Sequence, residues 1–142
     1  DVGELVERTA LGVKNPELPT KITYDRITGN DAKRIGPSVN KFLARKDNKI
    51  RSAVRQIGDG EIRHALNKHG HDPIPLKSKD LENIPDVVKN GEVVGVQRNR
   101  QNTGIIYRKK IGGNWLYVVE TVVGRSNISL RFQTAYWNKG SK

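Results

Sequence analysis

Four segments decide the fold of this 142-residue chain: EVVGVQR (92–98), TGIIYRKKI (103–111), WLYVVETVV (115–123) and ISLRFQTAY (128–136). In each segment apolar and polar residues alternate, which is typical of β-strands with one buried face. The connections are short and rich in turn-forming residues, so neighbouring strands are expected to pair antiparallel. The segments therefore predict an antiparallel β-meander over residues 92–137.

The residues before the strands have the spacing of helices. Apolar residues recur at helical intervals over 38–57, with Lys and Arg at most other positions, which predicts one or two amphipathic helices with a basic face. A further helix is predicted to begin near Asp59, which can cap free backbone amides, and to end at Gly70. The proline-rich residues 71–91 predict a connector that is mostly loop, with a single helical turn at 78–82.

The length and the order of these elements predict one domain of the α+β class. We expect helices over about 38–70 to pack on one face of a meander of four or more strands, leaving the other face for a ligand. An irregular segment, 1–30, is predicted to precede the domain at 31–142.

The charge of the chain indicates the kind of partner. Lys and Arg number 26 against 15 Asp and Glu, which gives a net charge of +11 and a pI near 10.1. Such a balance favours a polyanionic partner, which can be nucleic acid, an anionic membrane surface or an acidic protein. No apolar run approaches the roughly 20 residues that span a bilayer, and no signal peptide is visible.

Cysteine and methionine are both absent. Without cysteine there is no disulfide framework, thiolate metal site or thiol nucleophile. Because the chain begins with Asp1 and lacks methionine, we expect it to be part of a longer polypeptide. His64 and His69 are five residues apart and lie on different sides of a helix, so they do not form the His-x3-His pair of metalloproteases. No metal or other cofactor is expected.

A resemblance emerges from the order of several short motifs. They are His64-x4-His69-Gly70, a connector containing Asp80 and Ile84-Pro85, and a meander that closes on Thr134-x-Tyr136. This order resembles the barnase/EndoU/colicin/RelE (BECR) superfamily of small ribonucleases. Within it, the chain is similar to the branch found in phage proteins and in the C-terminal toxin domains of contact-dependent growth inhibition effectors. The resemblance covers about residues 58–137.

The resemblance implies a twisted antiparallel sheet with helices on one side and a metal-independent ribonuclease site on the other. In toxin members the usual target is tRNA, and a cognate immunity protein blocks the site. We therefore expect a toxin-type endoribonuclease domain, delivered as part of a secreted or cell-surface effector into the cytoplasm of a target bacterium. The charge of +11 suits both RNA and an acidic immunity protein.

The chemistry of RNA cleavage indicates which residues matter. The 2′-hydroxyl is the nucleophile, so the protein must supply a base, an acid and groups that hold the charge of the phosphorane. Histidine suits either proton role because its ordinary pKa is about 6.5. His64 and His69 are the candidates, and the expected product is a 2′,3′-cyclic phosphate or its hydrolysis product.

The resemblance suggests three further catalytic residues. Thr134 and Tyr136 are expected to donate hydrogen bonds to the scissile phosphate, and Arg108 is expected to clamp it. Strand alternation predicts that Thr134 and Tyr136 share a face with Leu130 and Phe132, so completing a core stripe is the alternative explanation. For His69 the alternative is a buried structural histidine, and for His64 a solvated surface residue.

RNA contacts are predicted for one group of basic and aromatic residues: Arg98, Arg100, Lys109, Lys110 and Trp137. A solvated strand edge is the alternative explanation for the cations. Trp115 and Tyr117 are expected to pack in the core. Two alternative functions remain open from the sequence, namely a noncatalytic nucleic-acid-binding module and a phage structural or packaging domain.

Overall fold

A computed structural model describes residues 1–43, 53–98, 103–124 and 127–140, apart from the side chains of 37–43 and 98. Its helices are α1 (Val2–Ala10), α2 (Gly29–Leu43), α3 (Asp59–His69) and α4 (Ile84–Asn90), with a short 3-10 helix at Ser78–Asn83. Its strands are β1 (Lys21–Arg26), β2 (Val54–Gly58), β3 (Glu92–Arg98), β4 (Thr103–Ile111), β5 (Asn114–Val123) and β6 (Ser129–Asn138). No helix in these ranges is long and apolar enough to cross a bilayer.

The six strands form one sheet in the order β1-β2-β6-β5-β4-β3. Every neighbouring pair is antiparallel except β2 and β6, which are parallel. The α+β class and the four predicted strands of the meander are confirmed. The hairpin between β4 and β5 turns at Gly112 and Gly113, whose φ angles of 59° and 89° suit a tight turn that only glycine adopts readily.

The core defines the two faces of the sheet. Alternate residues of the central strands, among them Tyr107, Leu116 and Phe132, are buried in one cluster with apolar residues of α1, α2, α3 and α4. We call this side the helix face and the opposite side the open face. The helices thus cover one face of the meander, as predicted.

The N-terminal 30 residues differ from the prediction of an irregular segment. Residues 2–10 form α1, which buries Val2, Leu5 and Val6, and the Asp1 carboxylate caps its first turn by accepting a hydrogen bond from the backbone amide of Glu4. Strand β1 pairs with β2. The turn-forming residues 15–19 lie between α1 and β1. Because they suggest irregular structure for the whole segment, the sequence does not indicate either element.

Strand β2 replaces the end of the predicted helix over 38–57. In β2, Arg55 and Ile57 are buried whereas Val54 and Gln56 are partly exposed, a period of two that the surrounding helical spacing masked. Helix α2 also begins earlier than predicted, at Gly29. The part of the prediction over 44–52 lies outside the described residues.

The connector 71–91 contains more helix than predicted. Helix α4 follows the 3-10 helix directly and buries Ile84, Val87 and Val88, which are spaced as one helical face. Pro85 lies in the first turn, where its missing amide hydrogen is not needed by the helix. The proline therefore marks the start of a helix and not a loop.

A buried ionic cluster ties β2 to β5 on the helix face. The guanidinium of Arg55 lies 3.3 Å from a carboxylate oxygen of Glu120, and both side chains are fully buried. The Tyr107 hydroxyl donates a hydrogen bond of 2.7 Å to Glu120, and Arg55 also binds Asp25 and the carbonyl of Val88. Burial raises the pKa of Glu120, while the charge of Arg55 and the hydrogen bond from Tyr107 oppose that rise. These four side chains connect strands β1, β2, β4 and β5.

Candidate active site

A β-bulge determines which residues of β6 reach the open face. The pairing of β5 with β6 shifts by one residue at Gln133. One extra residue reverses the side to which all later side chains point. Thr134 and Tyr136 therefore point to the open face, whereas Leu130 and Phe132 point to the helix face. The prediction that these four residues share a face is wrong, because strict alternation cannot anticipate a bulge.

One cross-strand row joins four strands on the open face. Glu92 is paired with Arg108, Arg108 with Tyr117, and Tyr117 with Tyr136. The Arg108 guanidinium donates through Nε to Glu92 (2.7 Å) and through Nη1 to the Tyr117 hydroxyl (3.2 Å). The Tyr117 and Tyr136 rings are stacked with their centroids 5.2 Å apart. Cross-strand pairing thus places a guanidinium and two phenols side by side.

His69 extends this row from the neighbouring helix. Strand β2 pairs only with the first part of β6, at residues 129–131, and α3 packs along β6. His69 is the last residue of α3, and its ring lies 5.3 Å from the Tyr136 ring, tilted by 33°. We call Asp72, His69, Tyr136, Tyr117 and Arg108 the His69 cluster.

Asp72 holds the imidazole of His69. One of its carboxylate oxygens lies 2.7 Å from Nδ1, and both side chains are partly buried, with 16% of His69 exposed. A carboxylate at Nδ1 favours the tautomer that carries its proton there and leaves Nε2 as the basic nitrogen. The His69 ring is therefore oriented for proton transfer at Nε2.

The Asp72→Asn variant tests this role. An amide can still hydrogen-bond to the ring but no longer requires a proton on Nδ1, so both tautomers become populated. We expect kcat for nucleic-acid cleavage to fall by up to about 100-fold with little change in KM, because a misplaced catalytic group costs about that much. The ¹⁵N chemical shifts of His69 report the tautomer directly, and Asp86→Asn is the matched control on the helix face. An unchanged tautomer and an unchanged kcat would contradict the assignment.

Tyr136 and Thr134, two residues apart on the open face, carry hydroxyl groups that are suited to donate hydrogen bonds. Burial raises the pKa of the Tyr136 hydroxyl, and the neighbouring Tyr117 adds to this shift, so Tyr136 keeps its proton at neutral pH. Thr134 is 9% exposed, and its buried hydroxyl has no hydrogen-bond partner among the described residues. A buried unpaired hydroxyl costs about 1–3 kcal/mol, which is the kind of cost that functional sites retain.

Two other predicted site residues, His64 and Lys109, lie apart from this cluster. His64 is exposed on α3, one and a half turns before His69. Lys109 points to the helix face, where its ammonium binds Asp86 at 2.6 Å and lowers the pKa of that carboxyl through the hydrogen bond. Arg100 and the side chain of Arg98 lie outside the described residues. Their predicted roles stay predictions.

The two tryptophans lie opposite to expectation. Trp137, predicted to contact RNA, packs against the core on the helix face and donates a hydrogen bond of 2.9 Å to Asp80. Trp115, expected in the core, is partly exposed on the open face, with the Arg108 guanidinium 4.2 Å above its ring and the Lys110 ammonium 5.8 Å away. The bulge at Gln133 also explains why Trp137 lies on the helix face, since it reverses the side to which residues at the end of β6 point.

Sequence reasoning missed Asp72, and it misplaced Tyr117 and Trp115. The spacing of Asp72, three residues after His69 and just beyond Gly70, was a usable signal, because a turn after the helix brings the two side chains together. The position of Tyr117 opposite both Arg108 and Tyr136 depends on strand register, which the sequence does not show.

Two further features of the described residues bear on ligands. They contain no group of three or more His, Asp or Glu side chains placed to hold a metal ion. A surface cavity of about 560 Å³ lies between α1, residues 11–20 and the start of α3, and it includes no residue of the His69 cluster. The candidate chemistry is therefore on the open face of the sheet, away from this cavity.

Comparison with known families supports a nuclease. A family model described as phage-Barnase-EndoU-ColicinE5/D-RelE like nuclease3, PBECR3, matches residues 33–142. No curated protein and no solved structure gives a significant match. The match begins within α2 and includes every strand of the meander, both predicted histidines and the complete His69 cluster. Because it covers most of the chain, the protein belongs to the PBECR3 family of Barnase-EndoU-ColicinE5/D-RelE-like nucleases.

Proposed function

We propose that this nuclease is a metal-independent endoribonuclease whose reaction takes place at the His69 cluster. The observation that carries the proposal is the continuous series of contacts from Asp72 through His69 and Tyr136 to Tyr117 and Arg108. A proton-transferring imidazole, phenolic hydroxyls and a guanidinium together meet the needs of cleavage by the 2′-hydroxyl.

Three members of the cluster, His69, Arg108 and Tyr136, act on the substrate together with Thr134. His69 Nε2 takes the proton of the 2′-hydroxyl as the 2′-oxygen attacks phosphorus, and the resulting imidazolium gives that proton to the 5′-oxygen as the bond from phosphorus to this oxygen breaks. Arg108 uses Nε and Nη1 for Glu92 and Tyr117, and its Nη2, which binds no other described residue, donates to a phosphate oxygen. Tyr136 and Thr134 donate hydrogen bonds to the phosphorane. The product is a fragment with a 2′,3′-cyclic phosphate.

The biological role proposed for this activity is that of a toxin domain that cleaves tRNA. In this role the chain is part of a larger effector that is secreted or held at the cell surface and delivered into the cytoplasm of a target bacterium. A cognate immunity protein covers the open face and neutralises the activity. The net charge of +11 supports both partners, since it attracts RNA and an acidic inhibitor alike.

Incubation of the purified protein with total bacterial RNA in EDTA tests the proposal. We expect discrete tRNA fragments on a denaturing gel from the wild type and none from a His69→Ala, Thr134→Ala double variant. Intact RNA with a salt-sensitive mobility shift would contradict catalysis and favour a noncatalytic binding module. Intact RNA without a shift would contradict both and favour a phage structural or packaging domain.

A further inference from the structure

Trp115 is the tryptophan of the open face, and it lies directly beside the His69 cluster. It belongs to the next cross-strand row, where it is paired with Lys110 of β4. Rows on one face of a sheet are about 7 Å apart along the strands. The guanidinium of Arg108 spans the two rows, because it binds Tyr117 in one and covers the Trp115 ring in the other.

We propose that Trp115 and Arg108, flanked by Lys110, form a subsite for an unpaired nucleobase next to the scissile phosphate. The inference rests on the proposed function and names the part of the RNA that this side of the site binds. Indole rings and guanidinium planes are the surfaces on which single-stranded RNA bases stack. Here the guanidinium carbon of Arg108 already lies over the Trp115 ring, 4.2 Å from its centre, so the two groups are held together before RNA binds.

Charge and position favour a nucleotide over an apolar ligand. Two cations, Arg108 and Lys110, lie within 6 Å of the centre of the Trp115 ring. A ligand that stacks on this ring is therefore close to two positive charges, which favours a ligand that carries negative charge. A nucleotide supplies both an aromatic base and a phosphate. The distance between the row of Tyr117 and the row of Trp115 is similar to the distance between neighbouring nucleotides in an extended RNA strand. With the reacting phosphate at Tyr117, the base on one side of that phosphate therefore reaches Trp115.

A tetranucleotide made of 2′-O-methyl residues tests the subsite without cleavage, because its 2′-oxygen carries no proton and cannot act as the nucleophile. Its counterpart is an abasic analogue of the same length that keeps every phosphate. The protein carries Trp137→Phe, which leaves Trp115 as the remaining one of the two tryptophans. We expect the base-containing tetramer to quench tryptophan fluorescence and the abasic analogue to leave it unchanged.

Affinity measured by anisotropy completes the test. Trp115→Leu is expected to weaken binding of the base-containing tetramer about tenfold or more and to leave binding of the abasic analogue unchanged, since stacking acts only on the base. Trp115→Phe keeps an aromatic ring and should restore most of the loss. Thermal unfolding of each variant verifies the fold.

Two results would overturn the subsite. An equal loss of affinity for both tetramers would show that Trp115 acts through Arg108 or the fold, and no loss for either would show that RNA does not reach it. Cleavage of ordinary RNA is measured separately. Binding that depends on Trp115 without cleavage would overturn the proposed function alone, and cleavage with binding independent of Trp115 would overturn the subsite alone.

Discussion

The His69→Ala variant is expected to lose about 100- to 10,000-fold in kcat for RNA cleavage, the range typical of a general acid or base. His69 is the histidine that touches the open-face row, through its 5.3 Å ring contact with Tyr136, and its Nδ1 is bound to Asp72. Removing the imidazole leaves Tyr136 and Arg108 to bind phosphate, so KM should change little. Single-turnover cleavage of a tRNA substrate measures the effect on the chemical step.

Two other histidines serve as matched substitutions in the same experiment. His71 is exposed in the turn after α3, and His71→Ala should leave kcat within about twofold of the wild type. His64 is exposed earlier on the same helix, and His64→Ala separates the two histidine predictions, with an expected effect of only a few-fold. The assignment would be contradicted if His64→Ala lost as much kcat as is expected for His69→Ala while His69→Ala stayed active. The catalytic histidine would then be His64, on the other side of α3.

The Glu120→Ala variant is expected to lower the free energy of unfolding by about 3–5 kcal/mol. Arg55 and Glu120 are fully buried and 3.3 Å apart, so removing the carboxylate takes the fully buried partner from a guanidinium in the core and leaves it with Asp25, which is partly exposed. The substitution also deprives the buried Tyr107 hydroxyl of its acceptor. Urea unfolding followed by circular dichroism measures the loss, which is a large fraction of the stability of a small domain.

Two companion variants keep this prediction testable if Glu120→Ala does not fold. Glu120→Gln retains an acceptor for Tyr107 and should lose less stability. An Arg55→Met, Tyr107→Phe, Glu120→Leu triple variant removes both buried charges and the hydroxyl that Glu120 accepts from, and it should recover most of the loss because apolar side chains need no compensation. A Glu120→Ala protein within 1 kcal/mol of the wild type would show that the cluster does not contribute as described.

Local patterns in the sequence predicted the meander well, because alternation of period two reports burial on one face of each strand. They predicted β2 poorly. Its five residues contain a buried arginine, whose partner Glu120 is 65 residues away, so the local pattern does not read as a half-buried strand. The same holds for β1, whose pairing with β2 depends on contacts across the fold.

For the candidate site, the sequence indicates residue types but not where they lie in the fold. Motif and chemistry indicate four candidates: His69, Tyr136, Thr134 and Arg108. The fold brings Arg108 and Tyr136 into one cross-strand row and His69 beside it. The bulge at Gln133 decides that Thr134 and Tyr136 lie on the open face and that Trp137 does not. A one-residue change of register cannot be detected from composition or periodicity, so the sequence does not indicate that Trp137 lies on the helix face.

The end groups of the fragments formed in EDTA test the central claim most directly. Attack by the 2′-hydroxyl produces a 2′,3′-cyclic phosphate, or the 3′-phosphate derived from it, together with a 5′-hydroxyl on the other fragment. Mass spectrometry of gel-purified tRNA fragments from the wild-type protein distinguishes these ends from others. We predict the cyclic phosphate and the 5′-hydroxyl. Fragments with a 3′-hydroxyl and a 5′-phosphate would mean that water is the nucleophile and would contradict the mechanism assigned to the His69 cluster.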